Sequence, residues 1–421
     1  MNHPPQDLDR RLAGLAATAL ARCDAAAAFS QESGRITRTF CSPAMADLHA
    51  ALRGWMQAAG LTCRVDAAGN IFGRLESPLR PNARALLIGS HLDSVPNAGK
   101  YDGVLGVMLS LALVEAVRQS DLQLPFALEV VGFSEEEGVR FGVPFIGSRA
   151  LVGDCEPLLS RTDEKGNSVA DALRSFGCDP SRINSCELPR EKFFAYLEPH
   201  IEQGPVLESE NLPLAVVTAI AGQTRAAVRV VGQAGHAGTV PMQLRRDALV
   251  AAAEWIAEVE RAARQTPGLV ATIGTIEVLP GAGNVIPAEA RLKLDIRHTD
   301  DAVRKLAVEH LIRHGQDLQA RRQVEFQFTT AHEHAAVAMD GPLTELLKQS
   351  MMGAGHAPRE LPSGAGHDAA VMARRWPAAM LFVRCRGGVS HHPDELVTLD
   401  DVTGALTVMW HFVQRLAATH S

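Results

Sequence analysis

Five stretches of the chain carry histidines or carboxylates in positions from which a cation can be held. His91 ends the apolar run ALLIGSHLD (85–93), and Asp93 stands two residues later on the same side of an extended strand, where its carboxylate can orient the imidazole. Asp102 lies in AGKYDG (98–103) just ahead of an apolar helical stretch, a place that suits a metal ligand and a helix cap alike. SEEEG (134–138) sets three consecutive carboxylates directly after a second apolar run, and such neighbours repel one another unless a cation or proton is shared. One of these glutamates can bind a cation while its neighbour takes a proton from bound water. EPHIEQGP (198–205) adds His200, and GGVSHHP (387–393) adds His391 and His392 in a glycine-rich loop. Taken singly, each stretch reads equally as a solvated loop, and His332 and His334 are read that way. Together, at the ends of strands, they point to metal-assisted hydrolysis.

Buried strands must carry these residues. Residues 85–93 and 126–135 are short apolar runs that stop abruptly at polar residues, the pattern of strands buried on both faces of a parallel sheet. The apolar helical stretch VLGVMLSLALVEAVR lies between them, so the order is strand, helix, strand. From about residue 212 the pattern changes. RAAVRVV, ATIGTIEVL, RLKLDIRH and VEFQF read as strands, with helical stretches at 245–264 and 300–318. In 290–297, Ala290, Leu292, Leu294 and Ile296 alternate with Arg291, Lys293, Asp295 and Arg297, which predicts one buried and one polar face. The order strand, helix, strand, strand, helix, strand predicts an inserted ferredoxin-like unit. After about residue 330 the chain returns to the first domain, with LFVRCRGG as a further buried strand.

At 421 residues the chain exceeds what one hydrophobic core organises, and 46% hydrophobic with 21% charged residues is a globular composition. The net charge of −7, with no basic cluster, argues against a nucleic-acid partner. Seven spread cysteines without a CxxC pair indicate neither a disulfide framework nor a zinc ribbon, and fit reduced thiols in a cytoplasmic protein. The start MNHPPQDLDRR lacks the features of an export signal, and no stretch of 18 apolar residues predicts a membrane span.

Taken together, GSHLDSVPNAGKYDG (89–103), EEEGVRF (135–141), EPHIEQGPVLE (198–208), GHAGTVPM (235–242), GAGNVIP (281–287), SGAGHDA (363–369) and GGVSHHP (387–393) resemble the dinuclear metallo-amidohydrolases. That family includes allantoate amidohydrolases, N-carbamoyl-L-amino-acid hydrolases and β-ureidopropionases, and is related to the zinc aminoacylases and carboxypeptidases. The resemblance runs from about residue 30 to 415. It implies an α/β, two-domain metallopeptidase-like fold, a mixed sheet sandwiched by helices with an inserted ferredoxin-like dimerisation and lid domain. The expected division is 1–211 and 331–421 for the catalytic domain and 212–330 for the insert.

For the site, the resemblance implies two divalent metal ions per subunit, Mn2+ or Zn2+, held by His91, Asp102, Glu137, His200 and His391, with Asp102 bridging. Glu136 is the expected general base and Asp93 supports His91. His236 is expected to reach the active site of the partner in a homodimer. Gln203, Asn284, Arg297, Gly366 and His367 are the expected substrate contacts, Arg297 gripping a carboxylate through paired hydrogen bonds. The chain departs from the family pattern in SHHP, where SHNP is common, so His392 competes with His391 as a ligand. It departs again at Pro199, where a larger apolar residue is usual. AIAGQTR (219–225) and LFVRCRGG (381–388) are more similar to allantoate amidohydrolases, which implies conversion of allantoate to ureidoglycine, ammonia and carbon dioxide. The alternatives are an N-carbamoyl-L-amino-acid hydrolase or β-ureidopropionase, a peptidase using the same centre, and, in another class, a catalytically inactive binding module.

Overall fold

The computed structural model describes residues 5–420. Its strands, in chain order, are β1 (Thr62–Val65), β2 (Ile71–Leu75), β3 (Ala85–His91), β4 (Ala127–Phe133), β5 (Phe193–Ile201), β6 (Leu214–Ile220), β7 (Gly222–Val231) and β8 (Gly235–His236). They continue as β9 (Val270–Leu279), β10 (Val285–Ile286), β11 (Glu289–His298), β12 (Glu325–His334), β13 (Val337–Ala338), β14 (Glu360–Ser363) and β15 (Ala378–Val383). The chain divides into two units. The first runs to Thr218 and resumes over Met339–Leu361 and from Gly366; the second comprises Ala219–Ala338 and Pro362–Ala365.

In the first unit a mixed sheet is ordered β1-β2-β4-β3-β5-β15-β6. β3 pairs in parallel with β4 and β5, and β15 in parallel with β5, whereas β2 and β6 join their neighbours antiparallel. Every residue of β3, β4, β5 and β15 is buried, which is why β3, β4 and β15 read as largely apolar runs rather than alternations. Helices Pro5–Ala27, Val104–Arg118 and Leu399–Thr419 pack together, the second also against β3 and β5. Leu105, Leu109, Leu113, Leu406 and Phe412 are completely enclosed, each buried side chain of this size contributing about 1.5–3 kcal/mol. The parallel pairing brings the carboxyl ends of β3, β4, β5 and β15 to one edge of the sheet, where His91, the 134–137 loop, His200 and the loop leading to His391 begin.

The second unit is a four-stranded antiparallel sheet ordered β12-β7-β11-β9, with helices Ala248–Gln265 and Asp301–Arg322. β11 alternates as the sequence predicts: Leu292, Leu294 and Ile296 are buried against Val228, Trp255 and Leu311, while Arg291, Lys293, Asp295 and Arg297 occupy the other face. Trp255 fastens the two helices by donating its indole N–H to the Leu311 carbonyl at 2.9 Å. Asp247 and Asp300 cap the helices by accepting amide hydrogens of the first turns. The apolar run 214–220, beyond the expected boundary at 212, is β6, paired with β15 in the large sheet. β12 extends to His334, past the expected boundary at 330.

Candidate metal centre

His91 and His200 are fixed by their own strands. Each ring turns its Nδ1 to a backbone carbonyl, that of Asp93 at 3.1 Å for His91 and that of Ile201 at 2.9 Å for His200. A carbonyl only accepts, so Nδ1 carries the proton in the neutral ring and Nε2 carries a lone pair. The two Nε2 atoms face each other at 3.5 Å, and both approach Asp102 Oδ1, at 3.5 Å from His91 and 3.2 Å from His200. Oδ1 is buried and meets no hydrogen bond of good geometry among the described residues. Two lone pairs and a carboxylate oxygen converging in a buried space repel unless they share a proton or a cation. This donor set fits a divalent cation by chemistry as well as by distance.

The other face of Asp102 is crowded with donors. Oδ2 accepts from Gln203 Nε2 at 2.9 Å and Ser390 Oγ at 2.9 Å, with His391 Nε2 at 3.2 Å. His391 Nε2 also lies 3.6 Å from Glu137 Oε1. His392 faces elsewhere, its Nδ1 accepting from the Asp394 amide at 3.2 Å, so of the two adjacent histidines His391 is the one beside Asp102. Among the described residues four overlapping groups could each hold an ion: His91–Asp102–His200, His91–Glu136–Glu137, Asp102–Glu137–His391, and Glu198–His200–His367. His391 and Gln203 both have left-handed backbones, with φ of 56° and 57°, a conformation that a non-glycine residue holds only where its surroundings enforce it.

The acidic loop is positioned from below. Asp93 accepts the amides of Glu136 and Glu137, one on each oxygen, at 2.9 and 3.1 Å, so the residue beside His91 also fixes the backbone of both glutamates. Asn70 accepts the Ser134 amide at 3.0 Å and donates to the Gly147 carbonyl at 3.0 Å. Arg38, 2% exposed, donates to the carbonyls of Leu92, Ala26 and Phe29 and so pins the exit of β3. Glu395 accepts the amides of Tyr101 and Asp102 at 2.6 and 3.0 Å and Ser390 Oγ at 3.3 Å. Ser90 and the Ala369 amide donate to Glu198. Sequence reasoning passed over Arg38, Asn70 and Glu395 as individual positions, because they act on backbone or on other side chains rather than at the cluster's centre.

Burial and mutual charge set the proton affinities. Burial would raise the Asp102 carboxyl, yet His200, His391 and His91 hold it well below its ordinary value. Burial would depress His91 and His200, but Asp102, Asp93 and Glu136 together outweigh it at His91, and Asp102 with Glu198 outweighs it at His200, so both are raised. His391 is raised by Asp102 against its own burial. Burial pushes Glu136 well above the carboxylate range, against the pull of His91 and with the help of Glu137. Burial and the Asp102 charge lift Glu137 to about 7. A carboxyl of high proton affinity beside one of low affinity is the pairing that general acid–base chemistry uses.

The remaining expected site residues divide between the units. His367 is buried in the first, its ring centroid 4.5 Å from that of His200, and burial followed by the His200 charge depresses its pKa. Gly366 lies beside Phe145, which a Cβ there would approach to 2.9 Å. His236, Asn284 and Arg297 belong to the second unit. His236 is exposed on β8, opposite Val285 of β10, and its Nδ1 accepts the Gly238 amide at 3.1 Å. Arg297 is held by Asp295 and the Gly364 carbonyl. His332 and His334 pack together on β12 in the second unit.

Comparison with known proteins places the chain among relatives along most of its length. The model of peptidase family M20/M25/M40 matches residues 87–415. An allantoate deiminase of Arabidopsis thaliana is 40% identical, the alignment covering 94% of this chain and 81% of the relative. An N-carbamoyl-L-amino acid amidohydrolase of Geobacillus stearothermophilus is 38% identical, covering 92% of this chain and 95% of the relative. The crystal structure of a hydantoinase/carbamoylase family amidase from Burkholderia multivorans superposes with a TM-score of 0.90 at 30% identity, over 96% of this chain and 98% of that one.

Proposed function

The chain belongs to peptidase family M20/M25/M40, a metal-dependent family, and from that premise we propose that it hydrolyses a ureido C–N bond of a small carboxylate substrate, allantoate foremost. It is a hydrolase of carbon–nitrogen bonds, as its relatives are named. The observation that carries the chemistry is the convergence of the His91 and His200 Nε2 atoms on the unsatisfied Asp102 oxygen. His91, Asp102, Glu137, His200 and His391 would hold two divalent cations. Cations bound there polarise a carbonyl oxygen and lower the pKa of water, and manganese and zinc both accept such a donor set.

The chain's own residues handle the proton and the substrate. Glu136 accepts a proton from the attacking water and passes it to the leaving nitrogen. The terminal C–N bond of one ureido group breaks, ammonia departs, and the carbamate left on the other nitrogen loses carbon dioxide. Allantoate and water thus give ureidoglycine, ammonia and carbon dioxide. Arg297 grips the carboxylate, with Gln203, Asn284, Gly366 and His367 as further contacts, and His236 of a second copy approaches the reacting carbonyl. Seven cysteines held as free thiols fit a cytoplasmic setting.

The Geobacillus relative favours a second reading, hydrolysis of an N-carbamoyl-L-amino acid, in which the same centre acts on a different carboxylate. Protein stripped of metal and refilled with manganese or zinc is to be offered allantoate, N-carbamoyl-β-alanine and several N-carbamoyl-L-amino acids, with ammonia and free amino acid measured. The expected result is fastest ammonia release from allantoate. Preference for a carbamoyl amino acid overturns the substrate and keeps the centre. Glu136→Gln is expected to retain its metal and lose about a hundredfold to ten-thousandfold in turnover, the range general-base catalysis supplies; near-normal turnover would remove Glu136 from that role.

A further inference from the structure

Arg297 does not stand alone on β11. Its Nε donates to Asp295 Oδ1 at 2.8 Å and its Nη2 to Asp295 Oδ2 at 2.9 Å, the paired geometry of a guanidinium on a carboxylate. Its Nη1 donates to the Gly364 carbonyl at 2.6 Å. Asp295 Oδ2 also accepts from Gln223 Nε2 at 2.7 Å and from Arg225 Nε at 3.2 Å. The antiparallel register sets Asp295 opposite Arg225 and Arg297 opposite Gln223, so the four side chains occupy neighbouring places on one face of β7 and β11. Arg225, Asp295, Arg297 and Gly364 line a groove of about 990 Å³ within the second unit.

We infer that Asp295 is a positioning residue for substrate recognition: it locks the Nε edge of Arg297, so that the guanidinium offers its remaining N–H groups to a substrate carboxylate in one orientation. The inference rests on the proposed reading of Arg297 as the carboxylate grip. A guanidinium has five N–H groups and the contacts described engage one on each nitrogen, leaving one on each terminal nitrogen for a ligand. A free arginine of this length would sample many rotamers, and fixing it in advance removes that entropy cost from binding. Gln223 and Arg225 in turn hold the Asp295 carboxylate, so the segment QTR (223–225) acts on the grip at one remove.

The test uses metal-loaded full-length protein and the ureido carboxylate turned over fastest in the panel above, beside the same compound with a carboxamide in place of the carboxylate. Asp295→Asn is expected to raise KM for the carboxylate about tenfold or more, the loss of one charge-assisted contact, with kcat within about threefold and the carboxamide's KM unmoved. Asp295→Glu keeps the charge and shifts the fork by one methylene; it must show the same carboxylate-selective rise in smaller measure, and serves if the asparagine variant does not fold. Adding Asp295→Asn to Arg297→Met must cost nothing further in KM. If Arg297→Met leaves KM unchanged, the reading of Arg297 falls and takes the inference with it. If Arg297→Met raises KM but Asp295→Asn leaves it or lowers it, Arg297 stands and Asp295 is a competitor or a bystander. Equal losses on carboxylate and carboxamide would make Asp295 a structural residue and overturn the inference.

Discussion

A methyl group on Gly103 would stand 2.5 Å from the Cε1 and Nδ1 atoms of His91, and the backbone there has φ of +67°, where a side chain is strained even without a neighbour. Asp102 owes its approach to the imidazoles to this bare turn. Gly103→Ala is expected to weaken metal binding about ten- to hundredfold, the scale on which displaced ligand supports act, measured by metal titration of stripped protein. Unchanged affinity would mean that the turn relaxes without moving Asp102. The stretches that make up the candidate metal cluster were legible in the sequence because histidine and carboxylate at the ends of apolar runs are chemically conspicuous. Glu395 was not legible, since its work is to hold two backbone amides, and any acceptor of the right reach writes no pattern. The choice between His391 and His392 needed geometry as well, because adjacent identical residues differ only in where the backbone aims them.

Helices Ala248–Gln265 and Asp301–Arg322 meet at a carboxylate as well as at Trp255. Arg261 donates to Glu258 through Nε at 2.7 Å, and His310 of the other helix contacts the same group. The Arg261 hydrogen bond is the chief cause that lowers the Glu258 carboxyl from 4.5 to about 2, with His310 adding to it and burial opposing. A depressed acid contributes stability that is complete above its unfolded pKa and is lost as pH falls through the folded one. The stability advantage of the wild type over Glu258→Gln is therefore expected to be full above pH 4.5 and to fade as pH falls towards 2, read from urea midpoints at successive pH values. A difference independent of pH would assign the effect to packing. The alternation of β11 was readable because one of its faces is wet. The apolar run 214–220 gave no such signal, because a strand whose partner, β15, lies far along the chain announces burial but not which sheet it joins.

His236, Asn284 and Arg297 lie in the second unit while the ligand cluster lies in the first, and the proposed activity needs both. With His236 supplied by a second copy, neither His236→Ala nor Glu136→Gln alone would be active, but mixed dimers would hold one site with both residues intact. Subunits of the two variants exchanged at equal concentration are expected to recover about a quarter of wild-type turnover, since about half the dimers are mixed and each has one good site. No recovery after demonstrated exchange would place His236 in its own subunit's chemistry or outside it altogether. The sheet order has another consequence, in the time taken to make the molecule. β15 lies between β5 and β6, so the centre of the large sheet keeps a gap until residues 378–383 have been synthesised, and His391 follows only after that. The contiguous 219–338 part of the second unit has been synthesised well before then. A chain cut short by premature termination between residues 201 and 378 would leave β5, which carries His200, as an open strand edge, so translation must run almost to its end before that strand is covered.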